Sequence, residues 1–257
     1  MRSGWRTMVL GLLLLAVTPA SGAAAPVRPL PTGTAVDYQL GGVRDVPEQV
    51  GIVVRDRRAP PAAGRYSVCY VNGFQTQPDE RAFWRRHRSL VLRRDGRPVV
   101  DRAWGEWLLD LRTPARRRAL ATIVGRWVRG CARAGYAAVE FDNLDSFTRS
   151  GELLRRGQAL AYARLLVRAA HRAGLAAGQK NAPEIDGPAL GFDFAVAEEC
   201  ARYDECGRYV RRYGGRVLAI EYRRSDFERA CRGYGGTITV VLRDRALSPT
   251  GVRHWCP

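Results

Sequence analysis

The sequence predicts an α/β fold in which parallel strands close into a single (β/α)8 barrel of the TIM type. Nine short apolar runs have the length and composition of buried strands, and amphipathic helical patterns lie between several of them. A mature chain of about 230 residues suits one such barrel, and no low-complexity linker divides it. Strands and helices in alternation imply right-handed crossovers, and this number of units favours closure of the sheet.

The strand candidates are apolar runs bounded by polar or glycine residues: 36–40, 51–54, 66–71, 107–111, 137–141, 175–179, 192–197, 217–222 and 237–242. The clearest helices are 114–134, where a proline suits the first turn, and 152–173, which Gly174 ends. A barrel needs eight strands. One of the nine is therefore expected to be accessory, either the first or a weakly flanked late one.

The N-terminus has the pattern of a secretory signal peptide over residues 1–25. Arg2 and Arg6 precede an apolar core at 9–17, and small residues follow through Ala25. This core is too short to span a bilayer, and no later segment is apolar for long enough to anchor the chain. We expect a Pro-rich linker at 26–35, a barrel domain at 36–257, and a secreted extracellular monomer without a membrane span.

Six cysteines lie beyond the signal, an even number that favours disulfides in an exported chain. Six cysteines allow 15 pairings, and spacing alone cannot choose among them. The pairing that we expect is Cys69 with Cys131, Cys200 with Cys206, and Cys231 with Cys256. A structural zinc site is not expected, because the sequence has no Cys-x-x-Cys pair and only three histidines.

The formal net charge is +17, and it falls to +15 once the two arginines of the signal are removed. Of the 42 basic residues only Lys180 is a lysine. A positive field attracts anionic polymers, but the arginines are spread along helices without the interleaved aromatic residues of a strand-binding groove. A solvated basic surface is the simpler interpretation, and we expect no dedicated nucleic-acid partner.

Polar residues recur at the carboxyl ends of the predicted strands, which is where α/β barrels bind their ligands. The segment 135–145 is the most informative: its apolar run ends in Glu140, Asp142, Asn143 and Asp145. Because side chains alternate along a strand, Glu140 and Asp142 should share one face while Phe141 points into the helix layer. Other strand ends carry Asp110, Lys180, Asn181, Glu198, Glu199 and Glu221.

Each of these residues alone could cap a loop or carry a surface charge. Several carboxylates around one barrel mouth, however, favour cleavage of a glycosidic bond, which requires an acid and a second carboxylate on either side of that bond. Nothing in the sequence requires a metal or an organic cofactor. The polar excursion at 75–103 adds Phe83 and Trp84, and Trp104 follows it; these aromatic residues either pack the excursion or line a sugar cleft.

The chain resembles glycoside hydrolase family 114, the endo-α-1,4-polygalactosaminidases, whose fold is a (β/α)8 barrel. The resemblance extends over nearly the whole mature chain and rests on these segments in order: YQLGG, CYVN, WLLDLR, GYAAVEFDNLDSF, GLAAGQKN, FDFAVAEECARYDEC, AIEY, LRDRAL and the closing CP. The EFDN segment is similar to the family's E-P-D-N motif, and AEEC to its N-E-Q-C motif. The chain departs from the family at Phe141, Ala197, Glu199 and Arg243.

The resemblance implies that Asp142 and Glu198 are the catalytic pair. We assign Asp142 as nucleophile or charge stabiliser, because Lys180 would favour its ionised form, and Glu198 as acid/base. The reverse assignment stays open, as does the choice between retention and inversion. Substrate contacts or orienting roles are expected for Asp110, Glu140, Asn143, Asp145, Lys180, Asn181, Glu221 and Tyr222. Glu199 should face away from Glu198.

The predicted function is a secreted glycosidase that cleaves an α-linked, amino sugar-containing polysaccharide in the manner of an α-1,4-galactosaminidase. A polymer of free galactosamine is cationic, and a protein of charge +15 would repel it unless the mouth is locally acidic. Two alternatives follow from this conflict. One is a hydrolase of a different envelope polysaccharide, and the other is a carbohydrate-binding barrel without turnover.

Overall fold

The structure is a computed structural model that describes Met1 and residues 26–257. Apart from Met1, the predicted signal peptide lies outside the described residues. Eight parallel strands follow one another around the sheet in chain order: β1 Ala35–Gln39, β2 Val50–Asp56, β3 Tyr66–Asn72, β4 Ala138–Asp142, β5 Ala176–Lys180, β6 Phe194–Glu198, β7 Val217–Glu221 and β8 Thr239–Arg243. A short ninth strand, β9 Arg253–Trp255, pairs antiparallel with β8.

The sheet curls until β8 lies beside β1, which gives the predicted TIM-type barrel. The Thr239 hydroxyl donates to the Thr34 carbonyl at 2.9 Å, and the Trp255 indole donates to the Val36 carbonyl at 2.7 Å. The accessory strand is thus β9, which was not among the candidates. The first candidate run, at 36–40, forms β1 of the barrel.

The prediction of a barrel strand at 107–111 is wrong. Of this run only Trp107 belongs to a strand, Glu106–Trp107, which forms a hairpin with Val100–Asp101. Leu108 and Leu109 form isolated bridges with Gln75 and Val91, outside the barrel sheet. Leu108, Leu109 and Leu111 are buried in the outer core with Trp84. The run is therefore apolar because it packs outside the barrel, and not because it forms a barrel strand, as we expected. The run belongs to the cap insertion, defined as residues 73–113, which leaves the barrel after β3.

The helices pack around the outside of the barrel: α1 Arg81–Arg86 in the cap insertion, then α2 Pro114–Ala134, α3 Arg156–Arg172, α4 Cys206–Tyr213 and α5 Arg224–Tyr234. The bounds of α2 are those predicted. Thr113 caps its first turn by accepting from the Arg116 amide, and Gly135 ends it at φ 97°. The third helix begins at Arg156, four residues later than predicted, where the Gln158 side chain accepts from the Arg155 amide.

The core has two layers that the strands separate. The inner layer fills the barrel with side chains such as Val36, Ile52 and Phe194, and the outer layer packs Phe141 and Val139 against the helices. Phe141 therefore faces the helix layer, as the alternation predicts. Gly178 is required inside the barrel, because a Cβ atom there would lie 2.4 Å from Cζ of the Phe194 ring.

Three disulfides join elements across this core, in the three pairs expected from the sequence. Cys69–Cys131 connects β3 to α2, Cys231–Cys256 connects α5 to the C-terminal segment, and Cys200–Cys206 closes a short loop after β6. Among the described residues, no helix combines the length and the apolar character that a membrane span requires.

Candidate active site

Three neighbouring strands place their last residues at one rim of the barrel: Asp142 on β4, Lys180 on β5 and Glu198 on β6. The residue that follows each strand has a left-handed backbone, with φ 67° at Asn143, 51° at Asn181 and 55° at Glu199. This conformation is uncommon outside glycine and turns the chain sharply. Asp142, Lys180 and Glu198 all line the cavity at this rim, as do the turn residues Asn143 and Asn181.

Lys180 lies at the centre of this group and is 2 % exposed. Its Nζ atom is 3.2 Å from Asp142 Oδ2, 3.2 Å from Glu198 Oε2 and 3.1 Å from Glu140 Oε1. The two oxygens of the proposed catalytic pair are therefore at most 6.4 Å apart, twice 3.2 Å. Residues that are 56 positions apart in the chain thus share one cationic partner.

Two tyrosine hydroxyls, one backbone amide and one asparagine side chain fix the orientation of the two carboxylates. Asp142 accepts from the Tyr70 hydroxyl at 2.9 Å and from the Asn143 amide at 2.7 Å. Glu198 accepts from the Tyr222 hydroxyl and, at 3.1 Å, from the Asn181 side chain. Each carboxylate therefore has two donors besides Lys180, which limits its rotation.

Glu140 lies beneath the pair and is fully buried. It accepts from the Tyr38 hydroxyl at 2.7 Å, and among the described residues its Oε2 atom has no hydrogen-bond partner. Burial raises the pKa of Glu140 to about 7, and the nearby Lys180 opposes this rise. Burial also acts against the charge of Lys180, but Asp142 and Glu198 outweigh it and raise the pKa of Lys180 well above its usual value, so this side chain is an ammonium.

A cavity of about 470 Å³ opens above these residues. Six carboxylates line it: Asp56, Asp101, Glu106, Asp142, Asp145 and Glu198. Only three cations do so: Arg149, Lys180 and Arg245. The mouth is therefore locally acidic in a chain whose formal net charge is +17, and a cationic ligand meets an attractive field there.

Of the residues predicted to contact substrate, Asn143, Asp145, Lys180, Asn181 and Tyr222 line the cavity. Asp110, Glu140 and Glu221 do not. Asp110 lies four residues before α2, and its carboxylate is 2.7 Å from Arg112 and 3.1 Å from Arg116. Glu221 is buried under the rim and accepts from the Ala201 amide at 2.9 Å, and burial raises its pKa to about 7.

The cap insertion supplies site residues that the sequence reasoning missed. Glu106 lines the cavity, accepts from the Asn72 side chain at 2.9 Å, and has its pKa raised to about 7 by burial. Asp101, on the paired strand of the same hairpin, is 2.8 Å from Arg149. The sequence does show the two acids, Asp101 and Glu106, five residues apart. They were missed because the strand wrongly assigned at 107–111 placed this segment in the barrel sheet and not over the mouth.

One group among the described residues has the donor types of a metal site: Cys200, Cys206 and Glu221. Its two sulfur atoms form a disulfide. Thiolates, which are the sulfur ligands of metals, are therefore not available at this position.

Paired carboxylates at the open mouth of a (β/α)8 barrel are the arrangement of a glycoside hydrolase. The chain belongs to glycoside-hydrolase family GH114, whose model matches residues 16–257, and this confirms the family and the glycosidase class that the motifs indicated. No curated protein matches the chain by sequence.

Solved structures share the fold. Ega3 of Aspergillus fumigatus, solved in complex with galactosamine, is similar with a TM-score of 0.69 and 21% identity over 90% of this chain and 98% of that one. The glycoside hydrolase domain of PelA from Pseudomonas aeruginosa is similar with a TM-score of 0.63 and 20% identity over 85% and 97%. At these identities the likeness establishes the fold alone.

Proposed function

We propose that this chain is a secreted endo-acting glycosidase that hydrolyses α-1,4-linked galactosamine polymers with Asp142 and Glu198 as its catalytic pair. The observation that carries the proposal is the placement of both carboxylates within 3.2 Å of Lys180 at the floor of an open, acidic cavity. A sugar ring above Lys180 would have one carboxylate on each side of its glycosidic bond.

Asp142 acts as the nucleophile and Glu198 as the acid/base. Asp142 is oriented by Tyr70 and by its neighbour's amide, which suits attack along a fixed line. The Glu198 side chain is more exposed, 25% against 17%, which suits access to the leaving oxygen and then to water. Glu198 donates its proton as the bond to the leaving sugar breaks, and it recovers a proton from the water that releases the sugar from Asp142.

The separation of the carboxylates supports retention of configuration. Retaining glycosidases place their carboxyl groups about 5 to 5.5 Å apart, and inverting ones roughly 6.5 to 9.5 Å, to make room for water. Asp142 Oδ2 and Glu198 Oε2 are at most 6.4 Å apart because both contact Lys180 Nζ, and an approach this close favours the retaining arrangement. Product sugars should therefore have the α configuration when first released.

The acidic lining supports an amino sugar as the substrate. The carboxylates of the mouth attract ammonium groups in spite of the positive charge of the whole chain. Family membership and the galactosamine complex of Ega3 support galactosamine among the amino sugars. Secretion is supported by the signal pattern at residues 1–25 and by the three disulfides.

The proposal is tested by release of reducing ends from three α-linked polymers: de-N-acetylated galactosamine, N-acetylated galactosamine and a uronic acid polymer. We expect the fastest release from the de-N-acetylated polymer and an initial α product by NMR. Asp142→Asn serves as the inactive blank, and Asp110→Asn, the same change outside the cavity, as the active control. Fastest release from the uronic acid polymer would contradict the substrate, and an initial β product would contradict the mechanism.

A further inference from the structure

A second cavity, of about 450 Å³, adjoins the first on the side of Glu198. Asp142 and Lys180 line only the first cavity, whereas six residues line both: Trp104, Asp145, Asn181, Glu198, Tyr222 and Arg245. The second cavity therefore lies beyond Glu198 as seen from Asp142. A polymer that passes over the catalytic pair would continue into it.

Two exposed aromatic side chains line this second cavity: Trp104, which is 64% exposed, and Tyr203, which is 57% exposed. Among the described residues these are the only large aromatic side chains with such exposure. An exposed aromatic ring does not contribute to the packing of the core, so core packing does not explain two such rings in one cavity. Aromatic faces in polar clefts are suited to stacking against pyranose rings.

Both aromatic residues are held on ordered turns. Trp104 follows Ala103, whose amide donates to the Asp101 side chain at 3.1 Å, and it precedes Gly105, whose amide donates to the Asp101 carbonyl at 2.8 Å. Tyr203 lies within the loop that the Cys200–Cys206 disulfide closes. The two walls are therefore preorganised, which lowers the entropy lost on binding.

The charge of the lining indicates which sugars the cavity would take. Its acids are Asp145, Glu184, Glu198, Glu199 and Glu205, and its one base is Arg245. The Arg245 guanidinium is already 2.7 Å from the Glu199 carboxylate. The remaining carboxylates favour a cationic ligand.

We infer that this second cavity is an extended subsite that binds amino sugars of the polymer on the leaving-group side of the scissile bond, with Trp104 and Tyr203 as its stacking walls. The inference rests on the proposed function, because the proton donor Glu198 faces the leaving oxygen. It also supplies a physical basis for endo cleavage, since the groove continues past the catalytic pair.

The subsite is tested by calorimetric binding of α-1,4-galactosamine oligomers to the Asp142→Asn variant. Tyr203→Ala, added to that variant, should weaken binding of a hexamer about tenfold and change binding of a dimer little, because Tyr203 lines only the second cavity. Trp104→Ala, where the two cavities meet, should also weaken binding of the hexamer about tenfold. Trp104→Phe should recover most of the loss because it keeps an aromatic face. Val252→Ala, an exposed apolar change outside both cavities, is the control.

The inference would be overturned if Tyr203→Ala weakened binding of the dimer and the hexamer equally, or if hexamer affinity were unchanged in either variant. Failure of the subsite inference is distinguished from failure of the proposed function by turnover. If the unmodified protein releases reducing ends from the polymer, the proposed function stands whether or not Trp104 and Tyr203 bind sugar. The position of cleavage in a hexamer labelled at its reducing end tests whether the subsite lies on the leaving-group side of the scissile bond. Loss of either wall should move cleavage toward the labelled end, and a shift toward the unlabelled end would contradict the leaving-group placement.

Discussion

At the scale of single residues, Lys180 explains how three buried or half-buried carboxylates are stable side by side. Its ammonium contacts Asp142, Glu198 and Glu140 at 3.1 to 3.2 Å and also donates to the Tyr38 hydroxyl at 2.9 Å. A compact donor with three hydrogens fits this position, whereas a planar guanidinium has a larger volume and a fixed fork. This accounts for a single lysine in a chain that otherwise uses arginine.

Replacement of Lys180 tests that role. Lys180→Met removes the charge that holds the carboxylates together, and we expect kcat/KM on the galactosamine polymer to fall at least about 100-fold. Lys180→Arg should not restore it, because the larger group overfills a buried site. Near-UV circular dichroism checks that both variants are folded. Activity of Lys180→Met within about threefold of the unmodified protein would show that the lysine is not needed.

The residue scale also shows where sequence reasoning succeeds and where it ends. The position of Asp142 and Glu198 at one rim could be predicted because both end apolar runs, and the choice of these two as the catalytic pair came from the family resemblance. Strand alternation fixes only that Glu140 and Asp142 share one face. Glu106 could not, because its position over the mouth depends on how the cap insertion folds back, and no periodic pattern encodes that. Asp110 follows an apolar run as Asp142 does, but its run lies in the cap insertion.

At the scale of elements, the barrel strands need a gap opposite Phe194. Gly178 on β5 provides it, since a Cβ atom would lie 2.4 Å from Phe194 Cζ and 2.5 Å from Cε2. The Phe194 ring lies in the inner layer of the barrel core, next to Gly178, which is two residues before Lys180 on the same strand. A glycine inside a strand is otherwise unfavourable, which makes the contact the physical reason for it.

We expect Gly178→Ala to lower the free energy of unfolding by about 2 kcal/mol, because the interior cannot accept the extra methyl group. A Phe194→Leu background should relieve part of this loss. The control is Gly130→Ala in α2, where nothing lies within 4 Å of the added Cβ; it should raise stability by about 0.5 to 1 kcal/mol. Urea unfolding measures all three, and equal effects at positions 178 and 130 would refute the packing argument.

The disulfides are expected to differ in their contribution to stability. Cys69–Cys131 spans 62 positions and Cys200–Cys206 only 6, so the longer link restricts the unfolded chain more. Removal of the first pair by alanine should cost about 4 kcal/mol, and of the second about 2 kcal/mol. Unfolding in denaturant compares the two double variants. A larger loss from the shorter link would show that native packing, and not chain entropy, decides its effect.

At the scale of the whole molecule, much of the barrel could be predicted because buried parallel strands are short, apolar and separated by turn residues. The prediction failed at 107–111, since apolar residues of an insertion and of a barrel strand have the same local pattern. Strand β9 was missed because Arg253–Trp255 shows no alternation of apolar and polar residues. Both errors concern segments whose structure is determined by contacts distant in sequence.

Stability should depend on pH through glutamates buried on different elements. Burial raises the pKa of Glu106, Glu140 and Glu221 to about 7, above their value of about 4.5 in the unfolded chain. Between these values the folded state binds more protons, so the contribution of these three glutamates to stability is fully present below about pH 4.5 and is lost as the pH rises through about 7.

Glu221→Gln isolates one of these groups outside the cavity and keeps an acceptor for the Ala201 amide. We expect the variant to match the unmodified protein near pH 5 and to be more stable by about 2 kcal/mol at pH 8, where the buried carboxylate is ionised. Thermal unfolding at the two pH values measures this. A constant difference across the range would mean that Glu221 does not titrate as its burial implies.

The measurement that most directly tests the central claim is azide rescue of the two single variants, with de-N-acetylated α-1,4-galactosamine oligomers as substrate. We expect Asp142→Asn and Glu198→Gln each to lose at least about 1,000-fold in kcat, with folding intact. In Asp142→Asn, azide should attack the sugar directly in place of the lost nucleophile and yield the β-glycosyl azide. In Glu198→Gln, azide should attack the glycosyl-enzyme in place of water, release Asp142 and yield the α-glycosyl azide. Near-normal turnover by either variant without azide would contradict the account.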